Sequence, residues 1–133
     1  MLIFFIFNSD VTQTGFCTQY CGWHDYSGSY KYAWIGVPPA GCPCSVQSIS
    51  PNGNAPVDAA LTVIAHELEE TATVPNINGW YYSDSTHFVE NGDQCAWGFP
   101  SLQRLAYYNL SFGGKNYLVQ GNWNLSKKIC SMS

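Results

Sequence analysis

Six cysteines, at positions 17, 21, 42, 44, 95 and 130 of a 133-residue chain, constrain this sequence more than any other feature. An even number spread through so short a chain reads as a disulfide framework, and therefore as a fold completed in an oxidising compartment. The competing reading is a zinc cluster built on Cys-Thr-Gln-Tyr-Cys (17–21) and Cys-Pro-Cys (42–44), but neither segment has the C-x-x-C spacing of the common zinc modules. We expect Cys95 to pair with Cys130, and Cys17, Cys21, Cys42 and Cys44 to pair among themselves. Two acceptor sequons, Asn109-Leu110-Ser111 and Asn124-Leu125-Ser126, point to the same secretory route.

Composition narrows the function classes. Hydrophobic residues make up 46% of the chain and aromatics 16%, enough apolar material for one packed core, so a single domain over 1–133 is expected. Only 11% of residues are charged, the net charge is −4, and five Lys and Arg in all argue against a nucleic-acid partner. The opening MLIFFIFNSD has no basic leader, its apolar run stops at Asn8, and no small-residue cleavage site follows. It reads as a buried strand, and any secretion signal then lies upstream. On that reading the chain is a fragment or the mature part of a longer secreted precursor. No stretch is apolar for long enough to suggest a membrane span.

Along the chain, residues 10–30 are rich in Gly, Ser, Thr and Cys and read as an irregular stapled stretch. YKYAWIGV (30–37) reads as a strand closed by Pro38-Pro39, followed by a Pro- and Gly-rich loop to residue 54. NAPVDAALTVIAHELEETAT is the one strong helix: Asn54 can cap it, Pro56 suits its first turn, Asp58 complements its dipole and Pro75 ends it. After Val74 the chain turns loop-like and aromatic. LAYYNLSF and KNYLVQGNW flank Gly113-Gly114 as a hairpin. The expected fold class is α+β, a small mixed sheet with one central helix, stapled by disulfides.

That helix carries the chemistry. Val57, Leu61, Ile64 and Leu68 form one stripe, the expected core face, while His66 and Glu70 stack one turn apart on the other side. Ala59 and Val63 precede them there, so this second side is expected to be partly covered. An i, i+4 ligand pair is how H-E-x-x-H helices hold zinc, with the intervening Glu as general base. Here the second ligand is Glu70, the base Glu67, and further ligands are Glu90 and Asp93 of FVENGDQC (88–95). His24 and His87 are spare nitrogen donors, His24 reading more readily as packed beside Trp23 and His87 as exposed. The plainer reading of the acidic run is a solvated helix face. Trp23, Trp34, Trp80, Tyr81, Tyr82 and Trp97 either line a sugar platform or belong to core and disulfide cover.

The segments SDVTQTGFCTQYCGWHDY, YAWIGV, CPC, SPNGN with VDAALTVIAHELEETATVP, GWYY, CAWGF and Cys130 resemble the phosphate-induced protein, or EXORDIUM-like, family. The likeness runs over residues 3 to 133, and F-C-x-x-x-C-G-W-H at 16–24 is its most specific block. The resemblance implies a secreted, cell-wall-associated protein linked to growth, with no settled enzymatic activity. The helix departs from the plant members and is similar to bacterial relatives described as metallopeptidases, with the pattern H-E-x-x-E-x-x-T-D-P, then G-W, then E-x-x-D-x-C. Carried over, that pattern falls on His66, Glu67, Glu70, Thr73, Pro75, Gly79, Trp80, Glu90, Asp93 and Cys95, with Val74 standing where it has Asp.

The expectation is therefore an extracellular wall- or matrix-type glycoprotein domain, structural in role, with N-glycans on Asn109 and Asn124. It binds a divalent metal at His66, Glu70, Glu90 and Asp93, zinc being favoured over calcium because an imidazole is present. The apolar strand 2–7 would pair copies into a homo-oligomer or filament, and wall polysaccharide is a further partner. The alternative is a secreted zinc metallopeptidase with Glu67 as base.

Overall fold

Strand β1 (Leu2–Phe7) does not pair with its neighbour in sequence but lies parallel to β3 (Tyr30–Gly36), in register from Leu2 opposite Lys31 to Phe7 opposite Gly36. Strand β2 (Gly22–Ser27) runs antiparallel to β3 on its other side, giving a mixed sheet of order β1-β3-β2. The computed structural model describes residues 1–45, 50–100 and 108–132. Strand β2 lies inside the stretch read as irregular. Gly28, at φ 56°, provides the left-handed residue of the tight turn that joins it to β3.

Alternation along β3 gives the sheet two different faces. Ala33 and Ile35 are fully buried on one and pack with Ala60 and Val63 of the helix α1 (Ala55–Thr73), with Phe4, Cys21, Val37 and Ile64 at the margin. Trp34 occupies the other, with its ring centroid 5.6 Å from Phe7 and 5.0 Å from Phe16. The loop bearing Phe16 is held there by the Cys17–Cys42 and Cys21–Cys44 disulfides. A core of so few large apolar side chains leaves much of the restraint to these bridges.

Helix α1 begins and ends where its sequence indicates. The Asn54 side chain accepts from the Val57 N–H, and the last helical residue precedes Val74-Pro75. Asp58 does more than complement the dipole: buried, it accepts from the Asn52 backbone and side chain and from the Ser50 hydroxyl, folding the preceding turn onto the helix.

The helix is rotated from the expected orientation. Val57 is 43% and Leu68 46% exposed, whereas Asp58, Glu67, Glu69, Glu70 and Thr71 are buried. The reason is steric: a Cβ at Gly22 would lie 2.6 Å from Val63 Cγ1 and 2.8 Å from Glu67 Oε1. Glycine in β2 thus admits the Val63–Glu67 edge, and the small residues Ala59, Ala60 and Val63 pack inward; of the expected stripe Ile64 stays at the core margin and Leu61 is half-buried, while Val57 and Leu68 lie outside.

The rest of the chain forms short ribbons around the helix. Strands β4 (Tyr81–Ser83) and β5 (Phe88–Glu90) pair within the region read as loop. Strands β6 (Leu110–Phe112) and β7 (Lys115–Tyr117) form the expected hairpin around Gly113 and Gly114, both at positive φ. Residues 105–107 of that hairpin's first segment, and 46–49 of the long loop, lie outside the described residues. KNYLVQGNW divides, since β8 (Asn122–Asn124) pairs instead with β9 (Ile129–Ser131). A disulfide from Cys130 in β9 to Cys95 fixes the 3-10 turn Asp93–Cys95. The α+β, disulfide-stapled class stands. Strand β1 is less buried than its composition suggests, with Phe5 47% and Ile6 56% exposed at the sheet edge.

Candidate metal centre

Three elements converge on the buried side of α1. The helix presents His66, Glu67 and Glu70 from consecutive turns of one face; β2 presents His24; and the 90–95 loop presents Glu90 and Asp93. In β2 the pleat places Gly22 and His24 opposite Ile35 and Ala33, the helix-facing residues of β3. His24 Nε2 is 3.6 Å from Glu70 Oε2 and 3.3 Å from Glu90 Oε2. His66 Nε2 is 3.1 Å from Glu70 Oε1 and 3.5 Å from Asp93 Oδ1. Glu70 therefore stands between the two histidines with one carboxylate oxygen toward each.

The surroundings hold these groups in place. Gln120, buried, has Oε1 3.2 Å from His66 Nδ1 and donates from Nε2 to the Gly92 carbonyl. In that orientation His66 donates from Nδ1, which leaves Nε2 as the atom that meets Glu70 and Asp93. Asn91 pairs with both backbone groups of Trp123, and Asp93 accepts from the Glu90 N–H, so the loop is tied to β8 and to itself. Gly92 lets the loop close on the helix, because a Cβ there would lie 2.9 Å from Glu70 Oε1 and displace that carboxylate.

The electrostatics are unbalanced. Glu67 and Glu70 are each 3% exposed, and among the described residues every ion pair involves a histidine, with no Lys or Arg reaching the cluster. Among the described residues, Glu67 Oε2, Glu69 Oε2 and Glu90 Oε1 are buried with no hydrogen-bond partner, and Glu70 Oε1 meets His66 without hydrogen-bond alignment. Burial pushes the Glu67 carboxyl up to about 8, and burial with the neighbouring Glu70 charge pushes Glu69 up to about 7. Burial opposes charge on His66, but Glu70 and then Glu67 outweigh it and raise the imidazole to about 9. His24 is raised too: burial works against its charge and Glu90 overcomes it. Groups held this far from their ordinary values retain protons that a cation would displace.

The helix and loop residues picked out as ligands, His66, Glu70, Glu90 and Asp93, are thus brought to one place. His24, read as a packed residue, joins them, and Glu67 lies within 4.8 Å of both His24 and Glu70 donor atoms. Glu67 is as well placed to ligate as to act as a base. His87 is exposed and engaged with Asp84 and Thr86 in the β4–β5 turn. Cys17, Cys42 and Cys44 also cluster, but as disulfide sulfurs.

Two concave surfaces flank the centre. A cleft of about 280 Å³ is lined by His66, Glu67, Asp93, Gln120, Tyr20 and Trp97. A groove of about 350 Å³ runs from Glu90 past Trp80, Tyr81, Tyr82 and Trp123. Trp80 and Tyr82 are 59% and 56% exposed, whereas Trp34 is buried and Trp23 packs edge-on against Tyr32.

The sequons differ in their surroundings. Asn109 donates from Nδ2 to the Pro100 and Val119 carbonyls and accepts from the Val119 N–H. Asn124 begins the exposed β8–β9 turn, its side-chain oxygen accepting from the Ser126 and Lys127 N–H groups. Among the described residues, no helix is long and apolar enough to cross a membrane.

Fold and site together define a disulfide-stapled α+β domain with a buried cluster of histidines and carboxylates. Residues 1–133 match the phosphate-induced protein 1 conserved region, and the chain belongs to that family. It is 32% identical to protein EXORDIUM-like 5 of Arabidopsis thaliana, over 92% of this chain and 44% of that protein. It is also 32% identical to EXORDIUM-like 3 of the same plant, over 92% of this chain and 46% of the relative. With protein PHOSPHATE-INDUCED 1 of Nicotiana tabacum the identity is 30%, over 92% and 51%. The chain spans about half the length of these relatives. No solved structure matches it.

Proposed function

We propose that this chain is an extracellular wall- or matrix-type glycoprotein domain that binds a divalent metal, zinc before calcium, and uses it to hold its architecture. The observation that carries this reading is the Glu70 carboxylate, buried between two histidines beside unpartnered carboxylate oxygens with no Lys or Arg among the described residues to balance them. A buried anion without a partner is costly, and a cation bound by the folded state alone is stabilising. Three disulfides fit a secreted protein. The exposed edge of β1 supports assembly between copies. The aromatic groove beside Glu90 supports polysaccharide as a partner, since flat rings present apolar faces to sugars.

The test is elemental analysis of protein purified in zinc, with melting measured before and after chelation and for His66→Ala. Bound metal and a chelator-sensitive melting temperature that His66→Ala lowers are expected; absence of metal with melting indifferent to chelator refutes the reading. The second reading, a zinc peptidase like the bacterial relatives that the helix pattern resembles, is favoured by one observation: Glu67 and His66 both line the 280 Å³ cleft. It requires peptide cleavage that chelation and Glu67→Gln both abolish. We expect none, because Glu67, buried beside the His24 and Glu70 donors, is as well placed to ligate the ion as to act as a base.

A further inference from the structure

The metal-donor atoms of this cluster do not form one set. They fall into two, His24 with Glu67 and Glu70 and His66 with Glu70 and Asp93; within each set the ligand atoms lie within 4.8 Å of one another, and the sets share Glu70 alone. The sharing is even-handed, because Glu70 turns Oε2 to His24 and Oε1 to His66. Each histidine also has a carboxylate of its own, Glu90 at 3.3 Å from His24 and Asp93 at 3.5 Å from His66. A carboxylate that offers one oxygen to each of two donor sets is the bridging arrangement of two-metal centres.

Charge argues the same way. Glu67, Glu70, Glu90 and Asp93 together carry four negative charges when ionised, and the histidines ligate as neutral imidazoles. One divalent cation leaves a net charge of −2 in a largely buried place; two divalent cations balance it. Glu67, within 4.8 Å of the His24 and Glu70 donors, and Glu90, whose Oε2 lies 3.3 Å from His24, give that position oxygen donors beyond the shared Glu70, and among the described residues Glu67 Oε2 and Glu90 Oε1 are buried without a hydrogen-bond partner. The set around His66 is the more open, since Asp93 is 44% exposed and the cleft reaches it.

We propose that the cluster is a dinuclear site, in which Glu70 bridges a closed ion held with His24, Glu67 and Glu90 and a second, cleft-facing ion held with His66 and Asp93. The inference rests on the proposal that the domain binds metal, and extends it from one ion to a coupled pair.

The experiment strips the full chain with chelator, titrates it with Mn(II) and separately with Zn(II), and determines bound equivalents by calorimetry and elemental analysis. Electron paramagnetic resonance of the manganese form then reports whether the ions sit side by side. Two equivalents are expected, with the exchange-coupled spectrum of adjacent Mn(II) ions. Asp93→Asn, a substitution in a half-exposed loop residue that leaves the packed helix untouched, is expected to reduce the stoichiometry from two to one and to remove the coupling. A single equivalent in the unaltered chain, or two equivalents with uncoupled spectra, overturns the dinuclear site while leaving a metal-binding domain. No binding of either ion overturns both.

Discussion

If the buried carboxylates are held together by protons when no cation is present, then raising the pH in chelator should unfold the domain from within its site. Glu67 titrates at about 8 in the fold against an ordinary 4.5, so over that interval the folded chain keeps a proton that the unfolded chain has released. A raised folded-state value means a contribution that is complete below about pH 4.5 and lost as the pH climbs through about 8. His66 acts with the same sign, its contribution complete below 6.5 and lost through about 9; Glu69, at about 7, adds to the slope. Each pH unit of such mismatch is worth about 1.4 kcal/mol, so from about pH 5 to about pH 8 Glu67 alone should remove about 4 kcal/mol. For a domain of this size that is a fall of roughly 10–20 °C in melting temperature. The assay is thermal unfolding followed by tryptophan fluorescence, in chelator, across this range. Glu67→Gln should flatten the slope, since an amide neither ionises nor releases a proton. Added zinc should act oppositely: ligands must give up their protons to bind it, so its stabilisation grows with pH. A metal-free melting temperature that stays level or rises between pH 5 and 8 would refute the reasoning.

Opening the Cys95–Cys130 bridge, which closes a sequence separation of 35, by the double change Cys95→Ser and Cys130→Ser should lower stability by about 3–4 kcal/mol. It should also weaken metal binding, because Asp93 lies two residues from Cys95; an unchanged urea midpoint contradicts the first and an unchanged zinc affinity by calorimetry the second. Peptide mapping of protein secreted from a eukaryotic host should find glycan on Asn124 and not on Asn109, whose amide nitrogen is committed to Pro100 and Val119; full occupancy of Asn109 in folded protein contradicts this. Ile6→Lys should abolish self-association through the edge of β1, where Ile6 is 56% exposed, and light scattering across a concentration series checks it. Identical mass for both proteins at every concentration removes β1 from the assembly reading.

The parts of the fold that local chemistry dictates were legible. Asn54, Pro56 and Pro75 bound the helix, Gly113-Gly114 turns a hairpin, and β3 follows from YKYAWIGV. Strand β2 was not, because Cys21, Gly22, Ser27 and Gly28 dilute its apolar content to that of a loop. The readable signal was alternation: Gly22 and His24 point one way, Trp23 the other, just before an SGS turn. Missing β2 left His24 as a spare nitrogen donor, read more readily as packed beside Trp23, rather than as a member of the site. Gln120 had no signal at all, since its role depends on where the Cys95–Cys130 bridge and β8 bring the chain.

The helix orientation shows why the site itself resisted prediction. Periodicity assigns the core to the face with the most apolar area, and by that rule Val57, Leu61, Ile64 and Leu68 belong inside. The rule compares only side chains on the helix, whereas burial is decided jointly with the surface that receives it. Here that surface offers Ala33, Ile35 and the bare backbone of Gly22, a shallow seat that suits Ala60 and Val63. Seating them carries Glu67 and Glu70 under the 90–95 loop, an arrangement that apolar burial alone would oppose. A helix that keeps Leu68 46% exposed while burying Glu70 to 3% needs a compensating attraction on its polar side. Protons supply it below neutral pH, by the shifts of His66, Glu67 and Glu69. Above neutral pH those protons leave, and in the dinuclear reading the orientation persists because cations take their place. Metal content should then govern which face of the helix is inside, and hydrogen exchange along 55–73 should show protection at Glu67 and Glu70 falling with chelation at high pH while the Ala60–Val63 contact is the last to open.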